Sequence, residues 1–126
     1  MAYIVHPDHR NGNPAKSQWI ISEQAECNAF TVSEQRDWLS EFQGWGLHIP
    51  RRRPTPLGTC VGRSRDSYIA KFVRSERDGD WHGYPADYSR NHQDRPSEAV
   101  LSDWERSNIV SPAKIRKIGR LQPCRL

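Results

Sequence analysis

Residues 76 to 95 carry the densest set of groups that can move protons or bind phosphate: Asp78, Asp80, His82, Tyr84, Asp87, Tyr88, Arg90, His92 and Asp94. Cleavage of RNA by side chains alone needs a base for the 2′-hydroxyl proton, an acid for the leaving oxygen and a cation beside the phosphoryl oxygens. His82 and His92 fit the first two roles, Tyr84 is a substitute acid, and Arg74, Arg77 or Arg90 fits the third. The same residue types also make ordinary polar loops, in which Asp and Asn side chains close turns. Within this stretch Trp81-His82-Gly83-Tyr84-Pro85 has a recognition reading, with two flat rings for stacking beside arginines that pair with phosphate. Against it stands an anchoring reading, in which Trp81 and Tyr84 fold back over a sheet because a chain poor in aliphatic residues needs large rings in its core.

Other chemistries find less support. Asp78-Gly79-Asp80 with Asp87 starts like an oxygen-ligand loop but lacks the regular spacing and the distal Glu of a calcium site. His6, Asp8 and His9 bring two imidazoles into one turn without a third and fourth ligand, so no metal site is expected. No glycine-rich phosphate loop, dinucleotide fingerprint or nucleophile elbow occurs, and no cofactor is expected. Cys27, Cys60 and Cys124 are odd in number and widely spaced, which fits reduced thiols rather than a disulfide framework or zinc knuckle.

Charge points to a partner. The chain of 126 residues holds 19 Lys and Arg against 15 Asp and Glu, a formal net charge of +4. The excess is concentrated: Arg51, Arg52, Arg53, Arg63, Arg65, Lys71, Arg74 and Arg77 face only Asp66 and Glu76 between residues 51 and 77. From Pro112 onward Lys114, Arg116, Lys117, Arg120 and Arg125 meet no acid. Most of these cations are Arg, whose planar fork pairs bidentately with phosphate or carboxylate and stacks on flat rings. The alternative is a solvated surface that only aids solubility.

The elements that must position these groups follow from local pattern. Tyr3-Ile4-Val5-His6 and Gln18-Trp19-Ile20-Ile21 are β-type runs on either side of turn-rich residues 8 to 14, which predicts an N-terminal hairpin or neighbouring strands. Thr31-Val32-Ser33-Glu34 has the spacing of a capping box, Trp38, Leu39, Phe42 and Trp45 follow at helical spacing, and Gly44 and Gly46 supply the stop. An aromatic-faced helix near residues 31 to 44 is expected. Residues 47 to 62, rich in Pro, Arg and Gly, are extended loop and a possible sub-boundary. Ser67 to Arg74 alternates with apolar groups on both sides, as a central strand does. A loop of about twenty residues then leads to a helix pair. Pro96 opens its first helix and Val100, Leu101 and Trp104 form its stripe; Asn108 turns the chain, and Ser111-Pro112 starts a short basic helix closed by Gly119. The outline matches both a helix-turn-helix and a simple packing corner.

The chain therefore reads as one α+β domain over residues 1–126: a small, mainly antiparallel sheet, one aromatic-faced helix and a C-terminal helix pair. Without an apolar run long enough to span a bilayer and without a signal-peptide pattern, it is expected to be soluble and cytoplasmic. The function expected is binding to nucleic acid, or to a nucleic-acid-handling complex, through Arg51, Arg52, Arg53, Arg63, Arg65, Arg74, Arg77, Trp81, Tyr84, Arg90, Lys114, Arg116, Lys117 and Arg120. One alternative is a small toxin-like, metal-independent endoribonuclease built on His82, His92 and Tyr84. Another is an interaction module or inhibitor of mobile-element origin that binds an acidic protein surface.

Overall fold

The computed structural model describes residues 2–126. In chain order the elements are β1 (Gln18–Trp19), α1 (Glu23–Gln35), β2 (Gln43–Leu47), β3 (Gly58–Thr59), β4 (Asp66–Ser67), β5 (Ile69–Val73), β6 (His82–Pro85), α2 (Glu98–Arg106) and α3 (Pro112–Gly119). Short 3-10 turns lie at Pro7–His9, Val61–Arg63 and His92–Asp94. Two antiparallel sheets result, β1-β3-β4 and β2-β5-β6, so the fold is α+β as the pattern predicts. Among the described residues no helix is long and apolar enough to cross a membrane.

β5 is the centre of the larger sheet, paired with β2 in the register Trp45↔Lys71 and with β6 in the register Lys71↔Tyr84. Alternation sorts its side chains onto two covered faces. Trp45, Leu47, Ile69, Lys71 and Tyr84 share one face, where Trp45, Leu47 and Ile69 pack with Val100, Leu101 and Trp104 of α2 and Ile118 of α3. Gly44, Gly46, Ala70, Phe72 and Gly83 share the other, where Ala70 and Phe72 pack with Phe30 of α1, Trp19, Leu57 and Trp81. The missing side chains on this second face set the spacing of the layers. A Cβ on Gly46 would lie 2.3 Å from Ser33 Oγ, so α1 sits against β2 closer than any other residue permits.

The helix pair follows its local signals. Ser111 accepts from the Lys114 amide, Pro112 occupies the first turn of α3, and Asn108 takes a left-handed φ of 59° between the helices; the start of α2 differs, since Ser97 is its cap, accepting from the Val100 amide, and Pro96 lies outside the helix. Val100, Leu101 and Trp104 are buried as the stripe predicts.

Residues before α2 depart from expectation at three points. The helix expected near residues 31 to 44 lies earlier, at α1, and is capped by Ser22, which accepts from the Ala25 amide at 3.1 Å. Thr31 is mid-helix and its hydroxyl donates to the Cys27 carbonyl. The chain leaves α1 through Asp37, at φ 62°, and residues 43 to 47 form β2. Gly44 and Gly46 are not a helix stop: they alternate with Trp45 and Leu47 as the thin face of a strand. Phe42 is left exposed. The expected hairpin also does not form. β1 pairs with β3, Tyr3 bridges Trp81 in parallel, and residues 8 to 16 fold onto Gln18, whose side chain accepts from the Gly12 amide and donates to the Asp8 carbonyl. Finally, the stretch 76 to 95 contains β6, which completes the larger sheet.

Candidate functional site

Three loops far apart in sequence meet beside β6. Residues 9 to 17 touch residues 60 to 65 where the Gly62 amide donates to the Pro14 carbonyl at 2.9 Å. Residues 60 to 65 reach residues 87 to 91 through Arg65, which pairs with Asp87 at 3.4 Å and donates to Ser89 Oγ. The last loop is closed on itself by the Asn91 amide on the Asp87 carbonyl and by the Asp87 amide on Asp94 Oδ2, at 2.8 and 2.9 Å. Between them opens a cleft of about 380 Å³ lined by His9, Lys16, Ser17, Tyr84, Arg90 and Asp94, among others.

Strand geometry supplies the floor. Tyr84 points from β6 to the same side as Lys71, and its hydroxyl donates to Asp94 Oδ1 at 2.6 Å. Asp94 is only 2% exposed. Burial raises its pKa, while the Asp87 amide, the Tyr84 hydroxyl and the Lys71 charge oppose that rise. Burial likewise raises Tyr84, helped by its bond to Asp94, so the phenol stays protonated. The Lys71 ammonium does not bond Asp94 directly: it donates to Gln43 Oε1 at 2.7 Å and to the Gln93 carbonyl, and lies over the Trp45 ring at 4.3 Å. Its pKa is lowered by burial, against the pull of Asp94.

One wall of the cleft is His9, stacked on Tyr84 with ring centroids 5.2 Å apart and planes 19° from parallel. His9 Nδ1 lies 2.8 Å from the Ser17 carbonyl oxygen. A carbonyl only accepts, so Nδ1 carries the proton and Nε2 is left with its lone pair. Burial lowers the His9 pKa, Lys16 adds to this, and the Ser17 bond opposes it.

The rim is cationic. Lys16 and Arg90 line the cleft and make no ion pair among the described residues. Arg63 reaches over the turn at Gly12, where a Cβ would lie 4.0 Å from its Nη2. Arg65 is half neutralised by Asp87, and with Arg125 it lines an adjoining groove that also includes Tyr68 and Pro123. The lining also includes two buried carboxylates, Asp87, which is paired with Arg65, and Asp94, so the positive potential offered to an anion lies at the exposed rim of Lys16 and Arg90 rather than at the floor.

The remaining residues singled out from sequence lie elsewhere. His82 is half-buried beside His6, with rings 5.9 Å apart and its Nδ1 buried without a partner, and His92 is exposed on its 3-10 turn. Trp81 is buried in the Phe30–Phe72 cluster under the Arg74 guanidinium, which is the anchoring arrangement. Arg74 and Arg77 both hold Glu41, at the Gln43 end of the larger sheet, whereas Arg51, Arg52 and Arg53 are exposed beyond its Leu47 end. Arg116, Lys117 and Arg120 are exposed on and just after α3, and the Lys114 ammonium donates to the Leu126 carbonyl oxygen at 3.0 Å. The basic residues thus fall into separate groups: Arg90 lines the cleft, Arg65 lines the adjoining groove, and Arg63 lies beside them at the Gly12 turn. Sequence reading did not place Lys16 or His9 there, because no spacing links residues 9 to 16 with residues 63 and 90. The one usable signal was a turn-rich segment carrying an isolated Lys between histidine and tryptophan. Among the described residues no group of three or more His, Cys, Asp or Glu is placed to hold a metal ion.

Comparison with protein-family models, with curated proteins and with solved structures returns no match for this chain.

Proposed function

We propose that the protein binds single-stranded nucleic acid in the cleft between residues 9–17, 60–65 and 87–94. Phosphates lie against Lys16, Arg63 and Arg90, the strand continues past Arg65 toward Arg125, and the His9–Tyr84 stack forms a flat wall for a base. The observation that carries this reading is that Lys16 and Arg90, from two different loops and without ion-pair partners among the described residues, line one concave site, with Arg63 nearby at the Gly12 turn. Cations left unpaired beside a cleft gain most from a polyanion, because binding releases its condensed counterions. Flat rings beside them supply sequence-tolerant stacking. Double-stranded DNA is too broad to enter so small a cleft and would have to bind across its rim.

The test is a salt series of binding to labelled single-stranded RNA, single-stranded DNA and duplex DNA. Log affinity for the single strands is expected to fall with log salt at a slope of about −2, from three neutralised phosphates at roughly −0.7 each. The triple variant K16A/R63A/R90A abolishes this binding, whereas R51A/R52A/R53A leaves most of it. Binding that ignores salt, or that survives the first variant and is lost in the second, overturns the assignment of the cleft.

A further inference from the structure

The cleft contains more than a binding site requires. A nucleic-acid groove has no need of an imidazole whose tautomer is fixed, yet His9 has one: Nδ1 is tied to the Ser17 carbonyl at 2.8 Å, and the ring is held in place by stacking on Tyr84. Its other nitrogen is therefore an acceptor, in the form a general base must have before it reacts. Lys16, in the next turn of the same loop, lines the same cleft and is close enough to His9 to act on its charge. Arg90 lines the same cleft, and its guanidinium makes no ion pair among the described residues. A base, an ammonium and a phosphate clamp thus share a space of about 380 Å³, large enough for one nucleotide and its phosphate.

We infer that the cleft cleaves RNA by transphosphorylation, with His9 as base, Lys16 as acid and Arg90 on the phosphoryl oxygens; this rests on the nucleic-acid reading above. His9 Nε2 takes the 2′-hydroxyl proton, and the 2′ oxygen attacks the adjacent phosphorus to form a new O2′–P bond. The P–O5′ bond breaks, the leaving 5′ oxygen takes a proton from the Lys16 ammonium, and Arg90 stabilises the charge on the non-bridging oxygens. The products are a 2′,3′-cyclic phosphate and a free 5′-hydroxyl. Proton transfer through water from the His9 imidazolium to the Lys16 amine restores the starting state, so no co-reactant is consumed. Burial of His9 favours its neutral form, in keeping with the base role. His82 and His92, the histidines singled out by sequence, do not line this cleft.

The experiment incubates the protein with 5′-labelled single-stranded RNA in EDTA, with binding followed in parallel by anisotropy on a 2′-deoxy oligonucleotide of the same sequence. Wild type is expected to cut the RNA to fragments ending in 2′,3′-cyclic phosphate and to bind the 2′-deoxy strand intact. His9→Ala and Lys16→Ala are each expected to slow cutting by about 10²–10⁴-fold. H82A/H92A is expected to cut like wild type. Because His9→Ala also removes the Ser17 bond, Lys16→Ala serves as the variant that leaves the fold unperturbed, and a thermal melt of each variant checks this. RNA that is bound but stays intact overturns the inference and leaves the binding reading standing. RNA neither bound nor cut overturns both. Cutting that survives His9→Ala or Lys16→Ala, or fragments ending in other than a cyclic phosphate, overturns the roles assigned here.

Discussion

Two fully buried carboxylates hold this molecule together in different ways. Glu26, on α1, is enclosed by protein: Arg10 grips one of its oxygens with Nε and Nη2 at 3.1 and 2.7 Å, and the Tyr3 hydroxyl donates to the other. Arg10 is itself secured to the Ile21 carbonyl at 2.9 Å. Asp94 is as deeply buried but takes only neutral donors, the Tyr84 hydroxyl and the Asp87 amide, while the nearest ammonium, Lys71, is bonded to other groups. The first is a closed ion pair that fastens the N-terminal segment onto α1. The second is a polar floor beneath an open cleft, with capacity for hydrogen bonding that the fold itself does not exhaust. A buried charge with a fully satisfied partner is a structural fastening; one held by neutral donors at the edge of a cleft is available for function.

The strongest test of this contrast removes the fastening. Glu26→Ala leaves the Arg10 guanidinium and the Tyr3 hydroxyl without their acceptor, and is expected to destabilise the protein by about 3–5 kcal/mol. Urea denaturation followed by tryptophan fluorescence measures this. A loss below about 1 kcal/mol would mean that Arg10 finds water and the pair fastens nothing.

Asp94→Asn is expected to cost far less, within about 1 kcal/mol at neutral pH. Its side-chain oxygen still accepts from the Asp87 amide, and a buried charge disappears. The pH dependence sharpens the prediction. The folded-state pKa of Asp94 is raised by burial, so the stability it contributes is fully present below its unfolded value of about 3.8 and is lost as pH rises through the folded value. The Asp94 charge therefore lowers wild-type stability at neutral pH, which offsets part of what the Asn variant loses, and the difference between them should shift in favour of wild type as the pH is lowered to 4. Paired urea titrations at the two pH values read that shift. A penalty for Asp94→Asn as large as that for Glu26→Ala would place both carboxylates in the same class.

The same contrast runs through what could be read from sequence. Where structure was set by local chemistry it was legible: Ser111-Pro112 and Asn108 bound the last helix and the turn before it, and alternation in Ile69–Val73 marked the central strand, whereas the start expected at Pro96 falls instead on the Ser97 cap. Where it was set by distant contacts it was not. Thr31-x-x-Glu34 has the spacing of a cap but lies within a helix whose N-terminus is satisfied by Ser22. Gly44 and Gly46 resemble a helix stop until α1 is placed against them. Strands of two residues, such as Gln18–Trp19 and Gly58–Thr59, are too short to show a period of two. The cleft was hidden for the same reason, since loops contribute its rim and only the packing of the two sheets brings Lys16 near Arg90.

The smallest stability effect is expected at that rim. Among the described residues Lys16, Arg63 and Arg90 make no ion pairs, so replacing them breaks none, and what is relieved is the repulsion between Lys16 and Arg90, offset in part by Asp87 and Asp94 in the same cleft. Each truncation loses little packing because Lys16, Arg63 and Arg90 are exposed. K16A/R63A/R90A should therefore change unfolding free energy by no more than about 0.5 kcal/mol per site, in either direction. Added salt should narrow the gap between variant and wild type, since screening weakens repulsion between exposed charges. A chain that tolerates losing three cations at one site, yet depends on a single arginine–glutamate pair at another, has placed the first set for something outside itself. Marked destabilisation in the triple variant, insensitive to salt, would instead make these cations part of the fold and remove the physical basis for treating the cleft as a binding site.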